Sequence, residues 1–165
     1  MQWTQKETML LQDMMNSEQI CIEKYTEYAE RACDPELKTL FESIKSTEEG
    51  HYNTLSEMAG GTIPTMNAQS GNSDGKQTGA KSNDKQTGTK PNKDDSPSDD
   101  ANCEEDEYLC RDALDTEKHV SSLYDTCIFE FVSAQARDVL NHIQKEEQEH
   151  GKQIYDYMSA HGMSA

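Results

Sequence analysis

One motif occurs twice in this chain and constrains its fold more than any other feature. Each copy has a glutamate, a second glutamate 30 positions later and a histidine three positions after that, and the copies are offset by 99 residues. Their members are Glu18, Glu48 and His51 in the first copy, and Glu117, Glu147 and His150 in the second. At this offset residues 10–58 align with 109–157 without a gap, and seven aligned pairs are identical. The pattern indicates an internal duplication whose two halves have kept the same polar residues.

The residues around each motif have the periodicity of packed α-helices. Steps of four and three residues through 37–58 meet Leu37, Phe41, Ile44, Glu48, His51, Leu55 and Met58, and the same steps through 136–157 give a matching series. Similar steps through 11–32 and 110–131 are mostly apolar as well, with Met15, Ile22, Ser121 and Ile128 among the inward-facing residues. Capping residues, Gly and Pro bound four predicted helices: Thr4 to about Ala32, Asp34 to just before Gly60, about Glu104 to Phe131, and Ser133 to about Ala160.

The spacing also sets the height of the polar residues in such a bundle. Glu18 and Glu48 lie about 15 residues on either side of the predicted turn near residue 33, so both are roughly 22 Å from that turn. Glu117 and Glu147 have the same separation. If the two helical hairpins pack together, the four glutamates and two histidines meet in one layer.

A dinuclear metal site explains why this layer is polar. A single helical glutamate is usually solvated, and a single histidine is more often a core residue than a ligand. Four buried carboxylates with at most two imidazolium ions, however, would repel one another or have strongly raised pKa values. Two divalent cations neutralise them. Carboxylate and imidazole ligands accept iron or manganese, so the expected cofactor is two Fe or two Mn ions, with the metal left open.

Composition excludes several classes of partner. The formal charge is −17, with 32 acidic and 15 basic residues, which argues against a nucleic-acid or anionic-membrane partner. No apolar run approaches the roughly 20 residues of a membrane span. The N-terminal stretch MQWTQKETML is too polar for a secretory signal, so we expect synthesis in the cytoplasm. The five cysteines form no CxxC pair and are expected to be mostly reduced packing residues; the alternative is intermolecular disulfides, with Cys103 the first candidate.

The chain divides into two hairpins and a connection. Residues 1–59 and 104–165 are the predicted half-bundles of one domain. Residues 60–103 contain almost no large apolar residue and repeat the sequence KQTG, so we expect a disordered linker. As a flexible coil it would span roughly 35–40 Å, the length of one long helix.

The doubled motif resembles the ligand set of ferritin-like di-iron and di-manganese carboxylate proteins. The resemblance implies an all-α, ferritin-like four-helix bundle whose second hairpin is inverted, which requires a connection as long as 60–103. It also implies that Glu48 and Glu147 bridge two metals, that Glu18 and Glu117 are terminal ligands, and that His51 and His150 bind one metal each. Such proteins often carry an acidic residue before the ExxH glutamate to support a ligand. Glu146 fits that pattern, and Thr47 departs from it. Tyr25 and Tyr124 lie two turns beyond Glu18 and Glu117, and they are equally well interpreted as residues that support the ligands or as ordinary core residues.

The phrases DPELKTLFESIKSTEEGHYNTL and VLNHIQKEEQEHGKQIYDYM are similar to those of clostridial spore coat proteins of the coat F type. That resemblance implies a location in the spore coat and other coat proteins as partners. Two functions stay open: an oxidoreductase that uses O₂ or peroxide (oxidase, peroxidase, ferroxidase or catalase-like), or a structural coat component whose metal only stabilises the bundle. No rubredoxin-like module is present, so any electron donor would be external. The long connection would also permit a homodimer with exchanged hairpins, and a mineral-storing cage is disfavoured.

Overall fold

The computed structural model describes residues 2–65 and 99–164. Within these ranges the chain forms four α-helices and no strand: α1 (Gln5–Arg31), α2 (Pro35–Ala59), α3 (Asp99–Ile128) and α4 (Ala134–Ala160). The predicted all-α, four-helix fold is confirmed. Most of the predicted linker, residues 66–98, lies outside the described residues, and for 99–103 only the helical backbone is described.

Capping residues in the sequence set the ends of three helices. Thr4 caps α1, and Glu7 completes the capping box by accepting from the Thr4 amide at 2.8 Å. Asp34 caps α2 directly before Pro35, and Ser133 caps α4. After α2 the chain turns at Gly61, whose φ of 90° favours glycine. The predicted ends of these helices agree with the structure to within one residue.

The predicted ends of α3 are wrong. We expected a helix from about Glu104 to Phe131, and the structure has Asp99–Ile128. At the C-terminal end Phe131 is a buried loop residue that packs edge-to-face on Trp3, with 5.7 Å between ring centroids. The amide of Val132 donates to the Glu7 carboxylate at 3.0 Å. Both contacts join this turn to the start of α1, and tertiary contacts of this kind leave no mark in helix periodicity.

The two hairpins pack so that each helix has antiparallel neighbours. α1 packs on α2 and α3 packs on α4, while α1–α3 and α2–α4 contacts join the hairpins. Lys6 at the start of α1 pairs with Glu130, just beyond the end of α3, and Arg31 at the end of α1 donates to Glu105 near the start of α3. The chain therefore leaves α2 at one end of the bundle and enters α3 at the opposite end. This is the inverted arrangement expected for a ferritin-like fold.

The core follows the predicted inward faces closely in α2 and α4 and less closely in α1 and α3. All seven expected positions of α2 and of α4 are buried. In α1 Met14 and Cys21 are buried where Met15 and Ile22 were expected. In α3 Val120 and Cys127 are buried where Ser121 and Ile128 were expected. The same one-residue shift in both halves turns the first helix of each hairpin towards the other hairpin.

Three of the cysteines are core residues, as expected. Cys21, Cys110 and Cys127 are buried and unpaired, whereas Cys33 is an exposed free thiol in the α1–α2 turn. The side chain of Cys103 lies outside the described part of the chain. Among the residues that the structure describes, no helix combines the length and the apolar character that a membrane span needs.

Candidate metal centre

The six side chains of the doubled motif meet in the middle of the bundle. α1 and α3 contribute one glutamate each, and α2 and α4 contribute one glutamate and one histidine each. All six are buried, with relative exposures of 0–3%: Glu18, Glu48, His51, Glu117, Glu147 and His150. Their depth is notable because charged groups are almost never fully buried without a partner. The structure thus brings together every residue that the motif singled out.

The first half of the cluster surrounds His51. Its Nδ1 lies 2.9 Å from a Glu147 oxygen, 3.1 Å from Glu48 and 3.7 Å from Glu18. One donor atom from each of these four residues can be chosen so that all lie within 4.8 Å of one another. Four donors at this spacing can surround a single cation.

The second half repeats this arrangement around His150. The His150 Nδ1 lies 3.0 Å from Glu48, 3.6 Å from Glu117 and 3.8 Å from Glu147. These four residues form a second group of donors within 4.8 Å of one another. Glu48 and Glu147 belong to both groups, whereas Glu18 and Glu117 each belong to one. The two groups of donors therefore lie side by side and share two carboxylates.

Unsatisfied polar atoms concentrate at the same point. Within the described residues, the buried side-chain nitrogen and oxygen atoms that lack a well-aligned hydrogen bond, despite the short ion-pair distances above, are Glu18 Oε2, Glu48 Oε1, Glu117 Oε2, both carboxylate oxygens of Glu147, and His150 Nδ1. A buried polar group without a partner costs about 1–3 kcal/mol, and a charged one more. All of these atoms belong to the six-residue cluster, and oxygen and imidazole donors suit a divalent transition metal. The residues therefore fit a metal pair.

The pKa values show how the cluster would balance its charge without metal. Burial raises the pKa of Glu18, and it raises that of Glu117 to about 8. Burial also acts to raise the pKa of Glu48, but contacts with His150 and His51 outweigh it and bring the pKa down to about 2. The pKa of Glu147 is lowered for the same reason.

The histidines respond in the opposite sense. Burial acts to lower the pKa of His150, yet the surrounding carboxylates raise it to about 11, and the pKa of His51 is also raised. Near neutral pH two imidazolium ions therefore face the carboxylates of Glu48 and Glu147, and the raised pKa values of Glu18 and Glu117 favour their protonated forms. Two divalent cations would displace four protons, two from the imidazolium ions and two from the carboxyl groups, and would supply the same positive charge.

Two tyrosines support the terminal glutamates across the hairpin interface. The hydroxyl of Tyr25 on α1 donates to Glu117 on α3, and that of Tyr124 on α3 donates to Glu18 on α1. Both rings are fully buried. In each glutamate the oxygen opposite the tyrosine is one of the unsatisfied atoms. The tyrosines therefore hold one carboxylate oxygen and leave the other directed at the cluster.

Glu146 supports the cluster from the side facing solvent. Its carboxylate lies 3.0 Å from the Nε2 of His51, the ring nitrogen turned away from the cluster, and this contact lowers the pKa of Glu146. The partly exposed His142 lies 3.5 Å from the same carboxylate oxygen. The sequence indicated an acidic support at this position. It did not indicate that Glu146 would contact His51, which lies on the other hairpin.

A cleft lies between α1 and α3, and we did not predict it from the sequence. It encloses about 320 Å³ and is bordered by Cys21, Lys24, Asp112, Thr116 and His119 among others. Cys21 is fully buried, and burial together with the cluster carboxylates raises the pKa of its thiol. The sequence did indicate that Cys21 would lie near the cluster, because it follows Glu18 by three residues on the same helix face.

Comparisons with known families match each hairpin separately. Residues 3–59 match the rubrerythrin family, and residues 105–165 match the Coat F domain. No curated protein and no solved structure matched the chain. The two matches confirm the resemblance to ferritin-like proteins of the coat F type, and the Coat F match supports the expected place in the spore coat.

Proposed function

We propose that the chain, whose first hairpin matches the rubrerythrin family and whose second matches the Coat F domain, binds two iron or two manganese ions between its hairpins and reacts with O₂ or peroxide. One observation carries this proposal. The buried side-chain atoms left without an aligned hydrogen bond in the described residues all belong to Glu18, Glu48, Glu117, Glu147 and His150, and these residues form two overlapping groups of donors.

Each residue has a distinct role in this proposal. Glu48 and Glu147 would hold both ions because each belongs to both donor groups. Glu18 with His51 completes one position, and Glu117 with His150 completes the other. Tyr25 and Tyr124 fix the terminal glutamates by donating to their outer oxygens.

The bound metal pair would supply two-electron redox chemistry towards O₂ or peroxide. The protein contributes a dry, preorganised pocket in which the carboxylates are already aimed at the ions, so little reorganisation is needed. The α1–α3 cleft would offer O₂ or hydrogen peroxide an approach beside Cys21, and the Coat F match favours action in the spore coat among other coat proteins. The electrons would come from an external donor.

The test is oxidation of ferrous iron. Metal-free protein is loaded with two equivalents of Fe²⁺ without oxygen, and air or peroxide is then added while Fe²⁺ loss is followed by absorbance. We expect oxidation faster than for Fe²⁺ in buffer, repeated over several additions. The Glu48→Ala variant should lose this rate, and Glu49→Ala, which changes the neighbouring exposed glutamate, should keep it.

A structural role is the second candidate, and the Coat F match favours it independently of any chemistry. In that role the ions tie the hairpins together, and the acidic surface and the exposed Cys33 contact coat partners. The same experiment separates the two. Uptake of two ions without oxidation, or oxidation slower than in buffer, would favour the structural role and contradict the enzymatic one.

A further inference from the structure

The two histidines of the cluster direct the same ring nitrogen inward and have different partners on their outer side. Each directs Nδ1 at the carboxylates, and each is 3% exposed. The outer Nε2 of His51 lies 3.0 Å from the Glu146 carboxylate. No residue in the described ranges forms a hydrogen bond with the Nε2 of His150.

The difference originates in the duplicated sequence. At the 99-residue offset Glu146 aligns with Thr47, and His142 aligns with Ser43. The Thr47 hydroxyl donates within its own helix to the Ser43 carbonyl at 3.4 Å, so it is not directed at His150. The pair of His142 and Glu146 behind His51 therefore has no counterpart behind His150.

The tyrosines and the shared glutamates serve both halves alike. Each of Glu18 and Glu117 accepts from one tyrosine, and Glu48 and Glu147 belong to both donor groups. On the inner side the halves differ in distance, since the His51 Nδ1 lies 3.1 Å from the glutamate of its own helix and the His150 Nδ1 lies 3.8 Å from its own. On the outer side, Glu146 is a charged partner that, among the described residues, one ligand histidine has and the other lacks.

We infer that the two metal positions of the proposed site are unequal, and that Glu146 makes the His51 position the one that fills first. This rests on the proposed dinuclear site. A carboxylate that accepts from the outer N–H of a ligating histidine fixes the tautomer, holds the ring in place and makes the inner nitrogen more basic. Loss of such a partner typically lowers metal affinity about 10–100-fold. Glu146 is thus a positioning residue that acts through His51.

The inference is tested by occupancy, because repulsion between two cations would separate the binding steps even in a symmetric site. Crystals of the whole protein are equilibrated with half an equivalent of Mn²⁺, and anomalous scattering gives the manganese content at each position. We expect the His51 position to exceed the His150 position by about 10–100-fold.

Variants exchange the distinguishing residue between the halves. Glu146→Thr makes both halves alike, and the two occupancies should become nearly equal. Thr47→Glu gives His150 a carboxylate at the equivalent position and should also equalise them, with tighter binding. Glu146→Gln keeps a hydrogen-bond acceptor without the charge and should retain the preference, and Glu149→Thr, which removes a nearby exposed charge, should leave it unchanged.

Two kinds of failure are distinguishable. If manganese in excess occupies neither position, the proposed dinuclear site is wrong. If excess manganese occupies both, but wild type fills them equally at half an equivalent, the inference alone is overturned. An undiminished preference in Glu146→Thr, with helicity retained in circular dichroism, would overturn it too.

Discussion

Metal loading should release a specific number of protons. We expect two equivalents of Mn²⁺, added to metal-free protein near pH 6.5, to displace about four protons per chain. His51 and His150 each give one, because their pKa values are raised. Glu18 and Glu117 each give one for the same reason, whereas the bridging glutamates, with lowered pKa values, give none. Ligand deprotonation on metal binding is the general cause.

The number released should fall as the pH rises. Above about 8 the carboxyl group of Glu117 has already lost its proton in the metal-free protein, so the release drops towards three. A further proton is lost above about 11, where His150 deprotonates. Apparent Mn²⁺ affinity should therefore increase with pH, most steeply below about 8, because each displaced proton contributes a factor of about ten per pH unit.

An indicator dye in weakly buffered solution measures this release directly. Manganese is suitable because Mn²⁺ is loaded without a redox reaction that would itself consume or release protons. Glu149→Gln, a change at an exposed position on α4, should give the wild-type number. A release near zero at pH 6.5, with two ions bound, would refute the reasoning, since it would mean that the four groups hold no protons to lose.

Three further predictions follow from contacts around the site. Tyr25→Phe and Tyr124→Phe should each lower the free energy of unfolding of metal-free protein by about 1–3 kcal/mol in urea titrations, because a buried carboxyl oxygen loses its hydrogen-bond donor. Tyr155→Phe, at an exposed position, should change it little. Equal behaviour of all three variants would contradict the proposed support of Glu117 and Glu18 by the two tyrosines. Glu7→Gln should cost a similar amount at neutral pH, since Glu7 accepts from Thr4 and Val132. The pKa of Glu7 is lowered, so this stabilisation is complete above about 4.5 and is lost as the pH falls through the folded-state pKa; a difference that persists in strong acid would count against the assignment. Shortening 66–98 to about 20 residues should leave helicity in circular dichroism unchanged, because about 20 extended residues reach roughly 66 Å and α2 is only about 38 Å long. Loss of the helical signal would show that the segment is more than a spacer.

The sequence was sufficient for features that depend on one helix at a time. Thr4, Asp34 and Ser133 predict the starts of three helices because an N-cap is a local hydrogen bond. The inward faces of α2 and α4 followed from their periodicity, and equal spacing placed the six polar residues at one height. Duplication gave a second, independent occurrence of each signal.

What the sequence could not supply depends on how the helices are rotated against one another. That Tyr25 serves Glu117, and that Glu146 serves His51, are contacts between hairpins with no fixed spacing in the chain. The burial of Met14 and Cys21 in place of Met15 and Ile22 has the same origin. The end of α3 at Ile128 was missed because its cause is a contact with the start of α1.

Metal analysis after equilibrium dialysis tests the central claim most directly. Wild-type protein dialysed against Mn²⁺ or anaerobic Fe²⁺ should retain two ions per chain. Glu48→Ala, which removes a carboxylate shared by both donor groups, should retain at most one, while Glu49→Ala, its exposed neighbour, should retain two. A wild-type content of one ion or none, or two ions held by Glu48→Ala, would contradict the account.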